Sequence, residues 1–569
     1  MKVWRINTRK RTANIEPVPD NWSHLGGRGL LARMMLDEVD PTCDALGPAN
    51  KLFFAPGLLV GHRLSSCDRI SIGGKSPLTG GVKEANAGGS TGLQLTHLGI
   101  KALILEDMPE EDDGWWLLHL NNRGVRFEPA PDLAGLGVYD SAPTLLDRYG
   151  SKCAIALIGP GGEMGFSSAG IQNLDKEGIP SRIAARGGLG ALMGSKRIKA
   201  IIIDGASGER PAIDDIKAFR AAQKDFNNAL STHPQITSYT DFGTAGMTHL
   251  CNTLGAMPTR SFSEGQFEAV ESISGEYLRQ LLLVRGGASD TSHACMAGCT
   301  IRCSNVFGGA DGEVIVSPLE YETIGLMGSN LGIESLDDIA RLNWEANDLA
   351  LDSIEVGAAI GVAVEAGLMQ HGDAERALEL LGEIRAGSEL GRILGNGAAA
   401  VGHAYNVSRV PVVKGQAISA YDPRVIKGTG VTYATSPQGA DHTAGLTIRV
   451  KVDHHDPTIQ VALSRKSQIT TAGYDSLGAC VFAGFGFATA PGTIQDLLQA
   501  RYGHEFPDDI LQVLGRETIS LEREFNRRAG FTSADDRLPE WMTHEPVPPH
   551  NTVFDVPEEE LDHIFDDLT

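Results

Sequence analysis

The sequence lacks the long apolar run that a membrane-spanning helix requires. Hydrophobic residues make up 42% of its 569 residues, but no stretch reaches about eighteen consecutive apolar residues. The amino-terminal segment MKVWRINTRKRTANIEP carries basic residues with no apolar run behind them, so it does not read as a secretory signal peptide. We therefore expect a cytoplasmic protein with no membrane span.

Positive charge and cysteine are also scarce. The formal net charge of −23 argues against a nucleic-acid-binding protein, because binding to phosphates requires a basic face. Eight cysteines in 569 residues are too few for a disulfide scaffold. In a reducing compartment, a tight group of cysteines indicates metal binding or redox chemistry instead.

Glycine is abundant and concentrated in a few segments. Many of the 68 glycines lie in the runs GGRGL, GGKSPLTGG, NAGGSTG, IGPGGEMG and RGGLGALMGSK, which suit tight turns and close approach to a ligand. Short apolar runs between them, KLFFAPGLLV, KALILED, CAIALIG and KAIIID, predict strands. We interpret residues 1–208 as a strand-rich domain whose glycine loops converge on a ligand.

The hydrophobic pattern becomes helical after this domain. The segments DDIKAFRAAQKDFNNALSTH and DDIARLNWEANDLALDSIEVGAAIGVAVEAG predict helices within a second domain, residues 209–410. Residues 411–569 alternate polar, glycine-bearing loops with helix candidates and form the third predicted domain. A chain of this length exceeds what one hydrophobic core usually serves. The expected fold class is α+β, with a strand-rich amino-terminal domain followed by two mainly helical domains.

Three cysteines lie within nine residues, in the segment HACMAGCTIRC. Cys295, Cys299 and Cys303 recur every four residues and would form one stripe on a continuous helix. The glycine at position 298 and the polar neighbours favour a ligand loop over such a buried stripe. Zinc is a second alternative, although structural zinc sites usually pair two short cysteine knuckles. An iron–sulfur cluster takes four thiolates, and Cys480 is the best available fourth ligand.

Cys480 ends the segment DSLGAC, which resembles the second pterin-binding motif, Asp-x-x-Gly-Leu-Cys, of the tungsten-containing aldehyde ferredoxin oxidoreductase family. Further blocks look like those of the family, in order, over nearly the whole chain. They are GGRGLLARMM, SPLTGG, NAGG, RGGLGALMGSK, EYETIGLMGSNLGI, GADHTAG and FNRRAGFTSADDRLP. The chain is thus similar to this family over most of its length.

Three departures from the family pattern are visible. The first cysteine spacing is one residue longer than the family's Cys-x-x-Cys. The first pterin motif, Asp-x-x-Gly-Leu-Asp in the family, is NDLALD here, with Asn347 and Ala350 at its first and fourth positions and Asp352 retained. Asn347 carries no charge but keeps donors and acceptors for a pterin edge. Ala479 replaces the usual leucine of the second motif.

The resemblance implies a tungsten or molybdenum ion held by two pterins, with Mg²⁺ bridging their phosphates, and a [4Fe-4S] cluster. Magnesium ligands would be Asn86 and the backbone carbonyl of Gly187, and the cluster ligands Cys295, Cys299, Cys303 and Cys480. The implied pterin contacts are Arg69, Asn86, Ala87, Gly88, Gly89, Arg186, Gly187, Gly188, Asn347, Leu351, Asp352, Asp475, Gly478 and Ala479.

The resemblance also implies a glutamate and a histidine beside the metal. Glu320 and Glu322 of EYET and His442 of ADHT are the candidates, with a slight preference for Glu320. A histidine titrates near neutrality, and burial can raise a glutamate toward that range.

The implied reaction is oxidation of an aldehyde to a carboxylic acid, with electrons leaving through the cluster to ferredoxin or a dedicated iron–sulfur subunit in a homo- or hetero-oligomer. Two alternatives stay open. One is the catalytic subunit of a tungsten-dependent aryl-CoA reductase of the benzoyl-CoA type. The other is a non-catalytic electron-transfer or scaffold subunit.

Overall fold

The computed structural model of the protein describes residues 1–110 and 113–568. Within these residues, no helix has both the length and the apolar character that crossing a membrane demands. The architecture is α+β, as the sequence predicts. Strands dominate as far as residue 203, and helices dominate from residue 216 onward.

Two six-stranded sheets form the amino-terminal part. The strands are β1 (Lys2–Asn7), β2 (Thr12–Pro17), β3 (Leu52–Pro56), β4 (Ile70–Lys75), β5 (Val82–Ala87), β6 (Ile100–Glu106), β7 (Trp116–Asn121), β8 (Gly124–Pro129), β9 (Ala154–Leu157), β10 (Ile171–Leu174), β11 (Pro180–Ala184) and β12 (Ile198–Ile203). The first sheet has the order β2-β1-β6-β3-β4-β5 and the second β11-β10-β9-β12-β7-β8. In each sheet one pair is parallel, β1 with β6 and β7 with β12. The four predicted apolar runs are confirmed as β3, β6, β9 and β12.

The two sheets share one buried core. Side chains of both, including Phe54 and Leu103 of the first and Leu118 and Ile201 of the second, lie in a single apolar cluster. The helices of this region are α1 (Gly27–Glu38), α2 (Thr91–His97), α3 (Val138–Tyr149), α4 (Pro160–Glu163) and α5 (Leu189–Ser195). Apolar residues of α1 lie in a second buried cluster with β1, β3 and β6, so the first sheet is buried on both faces.

Helices make up most of the remaining chain. They are α6 (Ile216–Ser231), α7 (Pro234–Phe242), α8 (Met247–Leu254), α9 (Gly275–Arg285), α10 (Tyr321–Thr323), α11 (Leu336–Asp348), α12 (Ser353–Glu365), α13 (Ala374–Ala386), α14 (Glu389–Gly395), α15 (Ala398–Tyr405), α16 (Lys427–Thr435), α17 (Gln460–Leu477), α18 (Gly484–Thr489), α19 (Thr493–Tyr502), α20 (Ile510–Ala529) and α21 (Glu558–Asp562). Short strands β13 (Asp290–His293), β14 (Ser304–Gly308) and β15 (Val314–Val316) form a three-stranded sheet, and β16 (Val412–Val413) pairs with β17 (Gln416–Ala417).

The first predicted helical segment shows why these sequences fold as they do. Asp215 caps α6 by accepting hydrogen bonds from the backbone of Lys217 and Ala218. Apolar residues at helical spacing, Phe219, Ala222, Phe226 and Leu230, are buried on one face.

The largest buried core cluster extends from Phe166 to Phe565 and contains residues from both sides of position 410. The predicted division of the helical part into residues 209–410 and 411–569 therefore crosses a continuous core, and these domain boundaries stay a prediction.

Candidate functional site

The three clustered cysteines lie on a loop between β13 and β14. This agrees with the prediction of a loop and not a helical stripe for Cys295, Cys299 and Cys303, whose role as ligands stays a prediction. Cys480 lies after the carboxyl end of α17, nearly two hundred positions along the chain. Ser66 connects the two segments, because its carbonyl accepts from Cys480 N at 2.8 Å and its hydroxyl donates to Cys299 Sγ at 3.2 Å.

The four thiols differ in acidity. Hydrogen bonds from Cys295 and Ser66 outweigh burial and lower the pKa of Cys299 to about 5. The hydrogen bond that Cys295 gives to Cys299 raises the pKa of Cys295, and burial raises it further. Burial raises the pKa values of Cys303 and Cys480. Cys299 is thus the thiol that is ionised first.

These thiols fit the cluster that the sequence predicts. Among the described residues, no three histidine, cysteine or acidic side chains converge as ligands of a single metal ion. A four-iron cluster distributes its thiolates over different irons, so its ligands need not converge on one point. The charges of Cys303 and Cys480 affect each other, and both interact with Cys299, so the four thiols surround one region. Cys67, which the sequence did not single out, is buried beside them.

Arg69, for which the resemblance implies a place between pterin and cluster, lies beside the glycine-rich NAGG segment, and its role at the pterin stays a prediction. Its guanidinium donates to the side-chain oxygen of Asn86 and to Asn86 O, the latter at 2.9 Å. Its charge acts on Cys480 and on Asp475. A Cβ at Gly88 would lie 3.2 Å from Cys295 Sγ, so NAGG runs directly alongside the cysteine loop.

The two predicted magnesium ligands already accept hydrogen bonds. The side-chain oxygen of Asn86 accepts from Arg69, and Gly187 O accepts from Ser76 Oγ at 2.8 Å. An amide oxygen has a second lone pair, so each can still face a cation. The magnesium site stays a prediction.

The first pterin motif, NDLALD, forms the break between α11 and α12. Ala350, at the family's glycine position, has φ +55°, a backbone conformation that costs alanine more than glycine. Ala350 O accepts from Gly170 N at 2.8 Å, and Leu351 pairs with Ala169, so the motif contacts the amino-terminal part. Asp352 caps α12 by accepting from Ile354 N.

Arg186 is buried against this motif. Its Nε donates to Asp352 Oδ2 at 3.1 Å, and its terminal nitrogens donate to Ser419 Oγ and to the carbonyls of Ala417 and Ala440. Protein acceptors therefore already surround the guanidinium that we predicted to contact a pterin phosphate. The role of Arg186 at the phosphate stays a prediction.

The second pterin motif, DSLGAC, packs against two glycine-rich loops. Gly478 ends α17 with φ +77°, and a Cβ at Gly57 would lie 2.0 Å from Gly478 N. A Cβ at Gly27 would lie 2.0 Å from Asp475 O. Only glycine permits these two backbone approaches. Ala479 N donates to Tyr474 O at 3.0 Å, which completes the turn before Cys480.

A buried charge network, which the sequence did not identify, surrounds Asp475. Arg28 donates to Glu522 through two nitrogens, at 2.8 and 3.0 Å, and to Asp475 Oδ2 at 3.2 Å. Burial and the nearby Glu84 raise the pKa of Asp475. The one available sequence signal was the arginine within GGRG, which is otherwise a glycine turn.

His442 and Glu322 form a partly buried pair. Glu322 Oε1 lies 3.1 Å from His442 Nε2 and accepts from Tyr421 OH at 2.9 Å. Burial alone would raise the pKa of Glu322, but the His442 charge and the hydrogen bonds from His442 and Tyr421 lower it. Ser419 Oγ lies 2.9 Å from His442 Nδ1.

Glu320 faces a different neighbourhood. It accepts from Thr244 and, at 3.3 Å, from Ser304 Oγ, and its charge acts on Cys303. Burial raises the pKa of Glu320. The structure therefore pairs Glu322 with His442, whereas the sequence slightly favoured Glu320.

Four thiols around one region, glycines that let two motifs pack closely and a partly buried histidine–carboxylate pair are typical of oxidoreductases that enclose their cofactor. Comparison with models of protein families identifies the family of oxidoreductases. The amino-terminal domain of aldehyde ferredoxin oxidoreductase matches residues 3–205, and domains 2 and 3 match residues 221–567. The chain belongs to the aldehyde ferredoxin oxidoreductase family.

Relatives agree with this assignment. The tungsten-containing aldehyde ferredoxin oxidoreductase of Thermococcus kodakarensis is 31% identical over 560 residues, which cover 94% of this chain and 89% of that relative. A WOR-like subunit of an aliphatic sulfonate oxidoreductase from Pyrococcus furiosus is 26% identical over 557 residues, covering 91% and 84%. The solved BamBC active-site complex of benzoyl coenzyme A reductase, bound to 1,5-dienoyl-CoA, shares the fold with a TM-score of 0.81. It is 17% identical and covers 100% of this chain and 94% of the matched chain.

Proposed function

We propose that this oxidoreductase converts an aldehyde and water to a carboxylic acid, with release of two protons and two electrons. The partly buried contact between His442 and Glu322, 3.1 Å apart, is the observation that carries the proposal. It sets a hydrogen-bond donor beside a proton acceptor, as this reaction requires.

The proton positions follow from the neighbours of His442. Ser419 Oγ, which also accepts from Arg186, lies beside His442 Nδ1 and can accept a hydrogen bond from the proton that Nδ1 carries in the charged ring. Nε2 carries the other ring proton and donates to Glu322. In the reaction, His442 Nε2 donates to the carbonyl oxygen of the aldehyde, and Glu322 takes a proton from the attacking water. His442 and, to a smaller extent, Tyr421 keep Glu322 ionised for that purpose.

When bound, a tungsten or molybdenum bis-pterin supplies the two-electron acceptor, and a [4Fe-4S] cluster supplies the one-electron exit. Cys295, Cys299, Cys303 and Cys480 would hold the cluster. The two pterin motifs, NAGG and Arg69 would hold the pterins.

The electron acceptor is proposed to be ferredoxin or another iron–sulfur protein. A pocket of about 230 Å³ reaches Cys299 from the surface, and its lining includes Lys176, His293 and Arg302. The thiol region is therefore accessible at one point to a docked partner. Residence in the cytoplasm is part of this proposal.

The first test is elemental analysis of anaerobically purified protein for tungsten, molybdenum, iron and zinc. The proposal expects about one tungsten or molybdenum and about four irons per chain. Iron alone, from a host able to make the cofactor, would favour a scaffold subunit, and zinc alone would overturn the cluster assignment. Metal-loaded protein is then assayed with aldehydes and a viologen dye, and with aryl-CoA thioesters under reducing conditions. Turnover of the thioesters alone would replace aldehyde oxidation with the aryl-CoA reductase alternative.

A further inference from the structure

Four arginines are buried in the described part of the chain, and Arg501 differs from the other three. Arg28, Arg186 and Arg424 each form an ion pair with a buried or nearly buried carboxylate. Arg501 is only 7% exposed, it forms no ion pair among the described residues, and Nη1 of its guanidinium is buried without a hydrogen-bond partner there. Its guanidinium lies over the Tyr502 ring, 4.8 Å from the ring centre. Burying a guanidinium without an acceptor costs free energy, so Arg501 lacks a compensating partner when no ligand is bound.

The end of helix α19 does not supply the missing charge. Arg501 lies in the last turn, where backbone carbonyls carry partial negative charge. However, Ala500 O and Arg501 O already accept from the backbone of Asp215 and Asp214, at 2.8 and 3.2 Å. These backbone donors therefore already compensate part of the negative charge at this helix end.

Further basic groups are buried around Arg501. Lys101 is 6% exposed and donates only to Ser23 O, at 3.2 Å. His62 is 6% exposed, and its Nε2 has no partner among the described residues. Burial and the Arg501 charge lower the pKa of Lys101 to about 7 and that of His62 to about 3. The Arg501 charge thus contributes to both shifts, and the contacts that bring the three segments together give the geometry.

The contacts around this cluster bring three parts of the chain together. Tyr502 OH donates to Leu58 O at 3.4 Å, which places the end of α19 on the loop that carries His62. The rings of His24 and His504 lie 4.9 Å apart, which places the segment next to Ser23 beside the same helix end. Asp68, which follows this loop, accepts from Gly61 N at 2.8 Å.

We propose that Arg501, Lys101 and His62 form a binding site for a small oxyanion, a phosphate or a carboxylate group. A guanidinium matches such groups because its parallel N–H donors can bind two oxygens at once. The site joins the amino-terminal sheets to α19, so an anion bound there links the two regions. Its residues are not among those assigned to the pterins, although the loop that carries His62 packs against the second pterin motif, and the proposal does not depend on the proposed function.

The test is calorimetric titration of the protein, purified with its cofactors, with inorganic phosphate and separately with acetate. Ionic strength is held constant with chloride. We expect about one saturable phosphate site per chain that Arg501→Gln weakens at least tenfold. At about a hundredfold excess over its Kd, phosphate should also raise the Tm by about 2–4 °C. Arg123→Gln is the matched control, since Arg123 is exposed on a hairpin turn, and it should leave both results unchanged.

The variants also distinguish an anion site from a merely structural arginine. Arg501→Met should raise the Tm of the anion-free protein and remove its response to phosphate, because an uncompensated buried charge is lost. Lys101→Met should weaken phosphate binding without abolishing it. Binding of both phosphate and acetate supports a general oxyanion site, and binding of phosphate alone restricts it to phosphoryl groups. Phosphate binding that is unchanged in Arg501→Gln, or no saturable binding of either anion, overturns the proposal.

Discussion

Nε2 of His442 lies 3.1 Å from Oε1 of Glu322, whereas Glu320, two positions earlier, contacts Thr244 and Ser304. Side chains two residues apart at a helix start point in different directions, so the two glutamates contact different side chains. Glu322 belongs with the histidine, and Glu320 belongs with the cysteine loop.

This difference predicts distinct effects of neutralising each carboxylate. Glu322→Gln should lower kcat for aldehyde oxidation by about 10²–10⁴, because it removes the proton acceptor while keeping the shape of the side chain. Steady-state assays with a viologen acceptor, on protein with verified metal content, provide the measurement. Glu320→Gln is the matched control and should retain more of the dye-linked activity than Glu322→Gln does. Equal losses in the two variants would contradict the assignment.

Tyr421 should control the pH dependence of the reaction. Its hydroxyl is one of the groups that lower the pKa of Glu322, so Tyr421→Phe should raise that pKa. Glu322 acts as a carboxylate above its pKa, so the acid limb of the rate profile should move to higher pH. The stability that the lowered pKa confers, which is present at neutral pH and is lost on acidification, should also diminish. An acid limb that stays in place would show that Glu322 does not set it.

Cys480 is predicted to be the fourth cluster ligand. Cys480→Ala should remove iron and its visible absorption while leaving the far-ultraviolet circular dichroism nearly unchanged. Cys43→Ala is the control, since Cys43 lies on a loop after α1 and is assigned no role at the cluster. Iron content equal to that of the wild type in Cys480→Ala would rule out this ligand.

Cys299 should be the most reactive cluster thiol in iron-free protein. Hydrogen bonds, chiefly from Cys295 and to a smaller extent from Ser66, lower its pKa to about 5. Brief alkylation at pH 6, read by peptide mass spectrometry, should label Cys299 before Cys295 and Cys303. Ser66→Ala should raise the pKa of Cys299 and slow its labelling at this pH. Preferential labelling of Cys303 would contradict the prediction.

Arg28 is predicted to be a major contributor to stability. Arg28→Met would leave Glu522 and Asp475 buried without their cation, at a cost of about 3–5 kcal/mol. Arg33→Met, on the same helix, removes a partly exposed pair with Asp37 and should cost less than about 1 kcal/mol. Denaturant unfolding of the two variants in parallel provides the comparison. Similar losses would show that the buried network contributes little.

Local sequence patterns were sufficient to predict much of the fold. Four apolar runs became buried strands, and the apolar spacing from Phe219 to Leu230 became one face of α6. Glycine at position 298 correctly favoured a loop for the three cysteines. The NDLALD segment lies in a continuous helical sequence pattern, yet the helix is interrupted there. Its Ala350 adopts a conformation that intrinsic propensity disfavours, because contacts with Gly170 and Ala169 hold the motif in place.

The sequence by itself determined the α+β class, the family and the residue types of the site, because these depend on local periodicity and on motifs read along the chain. Only the tertiary structure decided which of those residues meet. Ser66 joins Cys299 to Cys480, Glu322 rather than Glu320 meets His442, and Arg501 is buried with no ion pair in the described part of the chain. Such relationships depend on how distant segments pack and on which buried charges are neutralised, and neither is encoded in the spacing of residues along one segment.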